Sequence, residues 1–274
     1  MPNPTHPRAL AILTLALLFA RPVASQAPAT APAAPISDNS FLVEEAYNQE
    51  SGVVQHIGTY RRDRGGNWLA TFTQEWPAPG QRDQLSYTVP LQTAAGGGSG
   101  LGDVIINYRR QVLGANEDPI WFSPRLSAIL PTGSVGKGTG AGGPGLQVNL
   151  PLSVQLTEKL VTHWNAGATV IRAHSDGDVR KTARSVNAAA SAIWLLAPTL
   201  NLMLEGAWDR TESLDDDGVR VAANNFVLLP GVRAAIDLPS GMQIVPGIGV
   251  PIGLGPSRGE RDLFLYLSVE HSFR

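Results

Sequence analysis

Cysteine is absent from the 274 residues, so the chain has neither a disulfide framework nor a thiolate metal site. Charge is scarce: Asp, Glu, Lys and Arg make up 16% of the residues and nearly cancel, leaving a formal net charge of -2. Nucleic acid therefore has no electrostatic foothold, because neutralising phosphates takes a clustered excess of Lys and Arg. After Ala27 there is no long apolar run, and a helical membrane span needs about 20 consecutive apolar residues. The rest of the chain is either soluble or crosses a membrane as strands.

One apolar run is present at the start. "MPNPTHPR" carries positive charge, "ALAILTLALLFA" from Ala9 to Ala20 is unbroken, and "RPVASQA" supplies small residues. This is the pattern of a secretory signal peptide over residues 1–27, cleaved after Ser25 or Ala27. Residues 28–52 follow as a Pro/Ala-rich linker and N-terminal segment, in which "QAPATAPAAPISDN" reads as extended chain and "FLVEEAYNQE" as a short helix or an extra strand.

From residue 53 the dominant period is two. In "LQVNLPLSVQL", Leu146, Val148, Leu150, Leu152, Val154 and Leu156 alternate with Gln147, Asn149, Pro151, Ser153 and Gln155, so one face is oily and the other wet. The pattern recurs in strands expected at 53–61, 67–76, 83–91, 102–112, 121–130, 145–156, 159–171, 185–196, 199–208, 226–237, 242–252 and 262–273. Short connections at Thr157–Glu158, Ala197–Pro198 and Leu238–Gly241 alternate with long ones at Pro131–Pro144, Arg172–Arg184 and Asp209–Asn225. Outer-membrane barrels alternate short periplasmic turns with long external loops in this way. The fold expected for 53–274 is all-β: a transmembrane antiparallel up-and-down barrel of about 12 strands, placed in the bacterial cell outer membrane.

"ILPTGSVGKGTG" (Ile129–Gly140) looks at first like a phosphate loop. Its lysine fails the spacing, because Pro131 stands six residues before Lys137 where a glycine is needed, and a strand rather than a helix follows. A mobile external loop is the reading adopted. The oily positions from 145 onward hold no Asp, Glu, Lys or Arg, whereas the wet ones hold His163, Glu205, Arg233 and Glu270. Trp68, Trp208 and Phe226 fall at the outer interface, and Trp76, Trp121, Phe122 and Phe273 at the inner one, as in an aromatic girdle. Five prolines, Pro90, Pro124, Pro151, Pro230 and Pro246, fall inside expected strands, where a missing donor conflicts with the ladder.

"EEAYNQESGVVQHI", "TFTQEW", "QLSYTVP", "GLGDVIINYR", "PRLSAILPTG", "LQVNLPLSV", "NLMLE" and "YLSVEHSF" resemble the outer-membrane transporter family labelled MetA-pathway of phenol degradation, over Phe41 to Phe273. The resemblance implies a barrel distantly similar to channels for fatty acids and toluene, with aromatic or apolar compounds as solutes. It brings no catalytic residues. Its partners are outer-membrane lipid, the solute itself and the barrel assembly machinery, which reads a terminal aromatic such as Phe273.

Catalytic and metal signatures are missing. The mature chain has His56, His163, His174 and His271 but no Gly-x-Ser-x-Gly, no His-Glu-x-x-His and no evident Ser/His pairing. His174 beside Ser175, Asp176 and Asp178, and the contiguous acids of "DDDG" (Asp215–Gly218), read as solvated loops, since a calcium loop skips alternate residues. No cofactor or metal is expected, nor an enzyme. The wet-face set Glu75, Arg125, Asn149, Gln155, His163, Asn165, Glu205, Arg233 and Glu270 is the candidate pore lining. The function expected is passive passage of small molecules, with a lipid hydrolase and a structural or adhesive barrel as alternatives. Twelve strands make a narrow lumen that the N-terminal segment or inner side chains have the means to plug, and a blocked lumen weighs against free passage.

Overall fold

A strand with one oily face must cover it, and a sheet that closes on itself in lipid does so without leaving an edge. In the computed structural model, which describes residues 39–93, 97–115, 118–174, 180–214 and 219–272, twelve strands form a closed antiparallel barrel. β1 (Val53–Arg62), β2 (Trp68–Pro77) and β3 (Asp83–Thr93) are continuous. The next three are each interrupted once: β4 (Ser99–Leu101 and Val104–Arg110), β5 (Ile120–Phe122 and Arg125–Leu130) and β6 (Gly145–Asn149 and Leu152–Thr157). β7 (Leu160–His174), β8 (Arg180–Ala197), β9 (Leu200–Leu214) and β10 (Arg220–Ala234, then Ile236–Asp237) are long. β11 (Gln243–Gly249, then Ile252–Gly253) and β12 (Leu263–Ser272) finish the ring. Each strand pairs with its sequence neighbours, and β12 pairs with β1 from Val53–Ser272 to Arg62–Leu263, which closes it.

The expected strands correspond to these one for one, but their limits shift. The connections expected over Arg172–Arg184 and Asp209–Asn225 are largely strand, because β7 to β10 continue past the apolar belt as tall hairpins. The expected strand 102–112 breaks at Gly102 and Asp103. Asp103 is recruited elsewhere: its carboxylate accepts the N–H groups of Gly133 at 2.9 Å and Ala141 at 2.8 Å, tying down the Pro131–Pro144 loop. That loop has further internal bonds, and Thr139 within it is buried. The loop expected to be mobile is thus tied to β4 through Asp103 and folded on itself.

Register sorts the two faces as the alternation predicts. Leu146, Trp164, Trp194, Leu204 and Leu267 point outward and are exposed, whereas His163 and Glu205 point inward and are fully buried. Trp208 and Phe226 are cross-strand partners on the outward face. Trp121 departs from the girdle expected of it. It pairs with inward-facing Ser153, and its ring packs edge-on against Tyr47 inside the barrel.

The prolines are accommodated in two ways. Pro124 and Pro151 sit where β5 and β6 break, and their carbonyls still accept from Arg110 and Ser123. Pro90, Pro230 and Pro246 remain within strands. In an antiparallel ladder each N–H faces only one neighbour, so a proline forfeits one bond and not a whole register.

The signal-peptide and linker residues up to 38, Ser175 to Val179, the "DDDG" acids and Phe273 lie outside the described residues. The short helix or extra strand expected at Phe41–Glu50 is neither. This stretch is irregular chain running inside the barrel, with Val43 and Ala46 fully enclosed.

Candidate functional site: the occupied lumen

The inward phase of the strands makes a polar tube, and residues 39–50 occupy it. Their backbone groups cannot join a ladder that is already closed, so side chains of the wall satisfy them. Asn39 O accepts from Arg233 on β10, and the Ser40 hydroxyl meets that of Ser191 on β8 at 2.7 Å. Three successive N–H groups, of Phe41, Leu42 and Val43, then donate to the Glu205 carboxylate of β9 at 2.6, 2.7 and 3.1 Å. Glu44 N donates to Asn165 Oδ1 at 2.8 Å, and Asn165 Nδ2 returns a bond to Glu44 O at 2.7 Å. Ala46 is clamped from both sides: its N–H donates to Ser153 Oγ at 2.8 Å and its carbonyl accepts from Ser123 Oγ at 2.5 Å. Gln49 N donates to Gln84 Oε1 at 2.7 Å as the chain leaves the lumen for β1.

Charge reinforces this seat. Arg109 on β4 and Arg125 on β5 are direct cross-strand partners, a placement that repels unless an anion intervenes. Glu44 supplies the anion, 3.2 Å from Arg109 Nη1 and 3.3 Å from Arg125 Nε. Glu45 adds a carboxylate 3.7 Å from Arg109, and the same guanidinium donates to the carbonyls of Glu45 and Tyr47.

Phe41 is held by shape. It packs on Phe264 and Tyr266 of β12 at ring separations of 5.2 and 5.4 Å. On β10 and β11, glycines occupy inward positions, and a Cβ on Gly231 or Gly247 would strike the Phe41 ring. The wall is hollowed at that point to receive it.

Two cavities flank the segment. One of about 460 Å³, on the long-loop side, is lined by the segment and by Thr59, Thr71, Thr73, Thr88, Asn107 and Arg125, with Tyr266 beside Thr59 as its cross-strand partner. Its threonines bond in pairs, Thr59 with Thr71 at 2.6 Å and Thr73 with Thr88 at 2.8 Å. The other, about 410 Å³ on the short-turn side, is lined by residues that include Tyr47, Gln49, Asp237 and Glu270. Asn39 and Glu45 border both.

The nine expected lining residues divide accordingly. Glu75, Arg125, Asn149 and Asn165 line the larger cavity. His163, Glu205 and Arg233 lie against the inserted segment. Glu270 accepts from Gln55 and lines the cavity at the short-turn mouth. Gln155 is exposed near that end and joins none of them. Sequence reasoning overlooked Arg109, although it continues the wet phase of Asn107 between Tyr108 and Arg110. It also overlooked the Phe41 glycines, for which alternation carries no signal, since glycine reads as neither oily nor wet.

One pairing that no sequence motif marks follows from hairpin register: Ser153 and His163 are cross-strand partners of β6 and β7, and Ser153 Oγ lies 2.7 Å from His163 Nδ1. Both are fully buried beneath Ala46 and Tyr47, so the pair anchors the segment and no substrate reaches it in this state. Among the described residues, no three His, Asp or Glu side chains converge as metal ligands would.

No protein-family model matches the sequence and no curated protein matches it, so the MetA-pathway resemblance rests on the quoted motifs alone. Solved structures do match in shape. The COG4313 outer membrane channel from Pseudomonas putida F1 is 13% identical, with a TM-score of 0.63 over 83% of this chain and 98% of that one. The NanC porin is 9% identical, with a TM-score of 0.48 over 81% of this chain and 99% of that one. At these identities the likeness is one of fold, that of outer-membrane barrels.

Proposed function

We propose that the protein is an outer-membrane channel for small molecules, closed in this state by its own residues 39–50 and opened when they withdraw. The observation that carries this reading is that one irregular segment forms the common border of two cavities, bound to the wall through side chains. A ladder strand gives up a whole row of backbone bonds to leave, whereas a segment held by separate side-chain contacts leaves at lower cost. A barrel serving only as an anchor needs no such removable part. The described fold of the COG4313 channel and the apolar outer belt support placement in the outer membrane, with the short turns on the periplasmic side.

A blocked lumen counts against free passage, so transport here requires displacement of the segment. The wall is predominantly Thr, Asn and Gln, with one aromatic patch at Phe41, Phe264 and Tyr266. Polar or amphipathic solutes suit this lining better than the purely apolar ones implied by the MetA-pathway resemblance. Enzymatic action on lipid has only the sealed Ser153–His163 pair behind it.

The test is single-channel conductance of the full chain in planar bilayers beside a variant lacking residues 39–49. The variant should conduct about tenfold more than the parent, whose pore the segment closes. Equal conductance in the two proteins overturns the proposal.

A further inference from the structure

The wall of β4, β5 and β6 contains polar groups that the inserted segment does not satisfy. Asn107 and Ser127 are direct cross-strand partners, as are Arg125 and Asn149. Asn107, Ser127 and Asn149 are 3%, 0% and 6% exposed. The Asn107 amide nitrogen donates to Ser86 Oγ at 3.0 Å, and that of Asn149 to Glu44 Oε2 at 2.8 Å. Asn107 Oδ1, Ser127 Oγ and Asn149 Oδ1 have no partner. Opposite Asn149 on β7 stands Gly167, where a Cβ would lie 2.6 Å from Asn187 Oδ1 and 3.2 Å from Asn149 Oδ1.

Arg125 Nε has only a loose 3.3 Å ion pair with Glu44 and no hydrogen bond. Guanidinium groups bind carboxylates through aligned N–H donors, and Arg109 and Arg125 together form a carboxylate seat that Glu44 fills imperfectly. The adjoining free acceptors, Asn107 Oδ1 and Asn149 Oδ1, call for a ligand that brings O–H donors. Arg125, Asn107 and Asn149 line one wall of the 460 Å³ cavity, and Arg109 lies behind Glu44, which separates it from that space.

We infer that this wall is a solute-binding site for small hydroxylated carboxylates, and that Glu44 is an internal stand-in which such a solute displaces. The inference rests on the channel reading and gives it a substrate class and a trigger. An incoming carboxylate takes over the two guanidiniums, so the arginine pair is never left without an anion. Its hydroxyls donate to Asn107 Oδ1 and Asn149 Oδ1, contacts that the Glu44 carboxylate cannot make. Glu44 loses its seat, and the clamp on residues 39–50 loosens from its centre.

The probes are gluconate, glucose and butyrate, added at constant ionic strength to the reconstituted full chain, with conductance and Trp121 fluorescence recorded together. Trp121 reports the segment because its ring lies 5.1 Å from that of Tyr47. Gluconate should raise conductance and shift the fluorescence saturably, while glucose and butyrate, each with half of the chemistry, act only at about tenfold higher concentration or not at all. Glu44→Gln should lower the gluconate concentration needed, and Asn107→Ala should raise it. Equal responses to the three probes mean that the cavity holds water only, and overturn the inference. So does a chain indifferent to gluconate whose deletion of 39–49 conducts, a result that leaves the channel reading standing. Failure of the deletion itself to conduct removes the channel reading and this inference with it.

Discussion

Leu42 and Glu205 are 163 positions apart in sequence, yet the backbone N–H of the first donates to the carboxylate of the second at 2.7 Å inside the barrel. Phe41 and Val43 donate to the same carboxylate, so one side chain of the wall fixes three consecutive residues of the segment. Glu205→Ala strands these donors, at about 1–3 kcal/mol for each buried group left unpaired. The expected outcome is a barrel that still resists SDS when unheated, because no ladder bond is touched, but conducts more than the parent. Conductance equal to that of the parent would show that Glu205 does not hold the segment in place.

The hollow around Phe41 gives a second test by volume instead of by charge. A Cβ on Gly247 would fall 2.7 Å from the Phe41 ring, and overpacking of this kind typically costs about 1–3 kcal/mol. Gly247→Val should therefore weaken the seat and raise conductance, whereas combining it with Phe41→Ala should relieve the clash with the ring and leave only the 2.9 Å approach to Arg233 Cγ. Proteolysis within residues 39–50 should be faster in Gly247→Val and unchanged in a control at exposed, outward-facing Ile248.

Leu204 lies on the outward face, 48% exposed, between the level of the Trp208–Phe226 pair and the start of β9. If hydrocarbon surrounds it, Leu204→Arg should destabilise the barrel by about 2–4 kcal/mol on unfolding from lipid vesicles. A loss near that of Leu204→Ala would mean that this face meets water.

Asp63 closes the turn between β1 and β2 outside the strands. Its carboxylate accepts the side-chain amide of Asn67 at 2.7 Å and the Asn67 N–H at 2.9 Å. The Asn67 side chain chiefly, with backbone N–H groups of the turn, holds the Asp63 carboxyl below the usual aspartate range, against the opposing effect of burial. The folded value is lower than the unfolded one, so the turn has its full support above the ordinary aspartate value and loses it as pH falls through the depressed one. Carboxyl chemical shifts followed through an acid titration should show Asp63 titrating late, and Asn67→Ala should return it towards the ordinary value. An unchanged titration in that variant would exclude Asn67 as the cause.

Alternation in the sequence determined the barrel: which residues face outward, that there are twelve strands, and that His163, Glu205 and Arg233 belong inside. That much is local, because a period of two sorts side chains before any partner strand is chosen. Strand limits were less legible at Gly102–Asp103 and in the tall hairpins, where carboxylate bonds to a distant loop and continued pairing override composition. Only the tertiary structure decided that residues 39–50 fill the lumen, that Glu44 settles between Arg109 and Arg125, and that Ser153 meets His163. The first two join a segment to strands far from it in sequence, while Ser153 and His163, only ten positions apart, meet because the register of the β6–β7 hairpin sets them opposite each other. Neither periodicity nor spacing along the chain encodes which wall side chains a closed ring will hold within reach of a segment inside it.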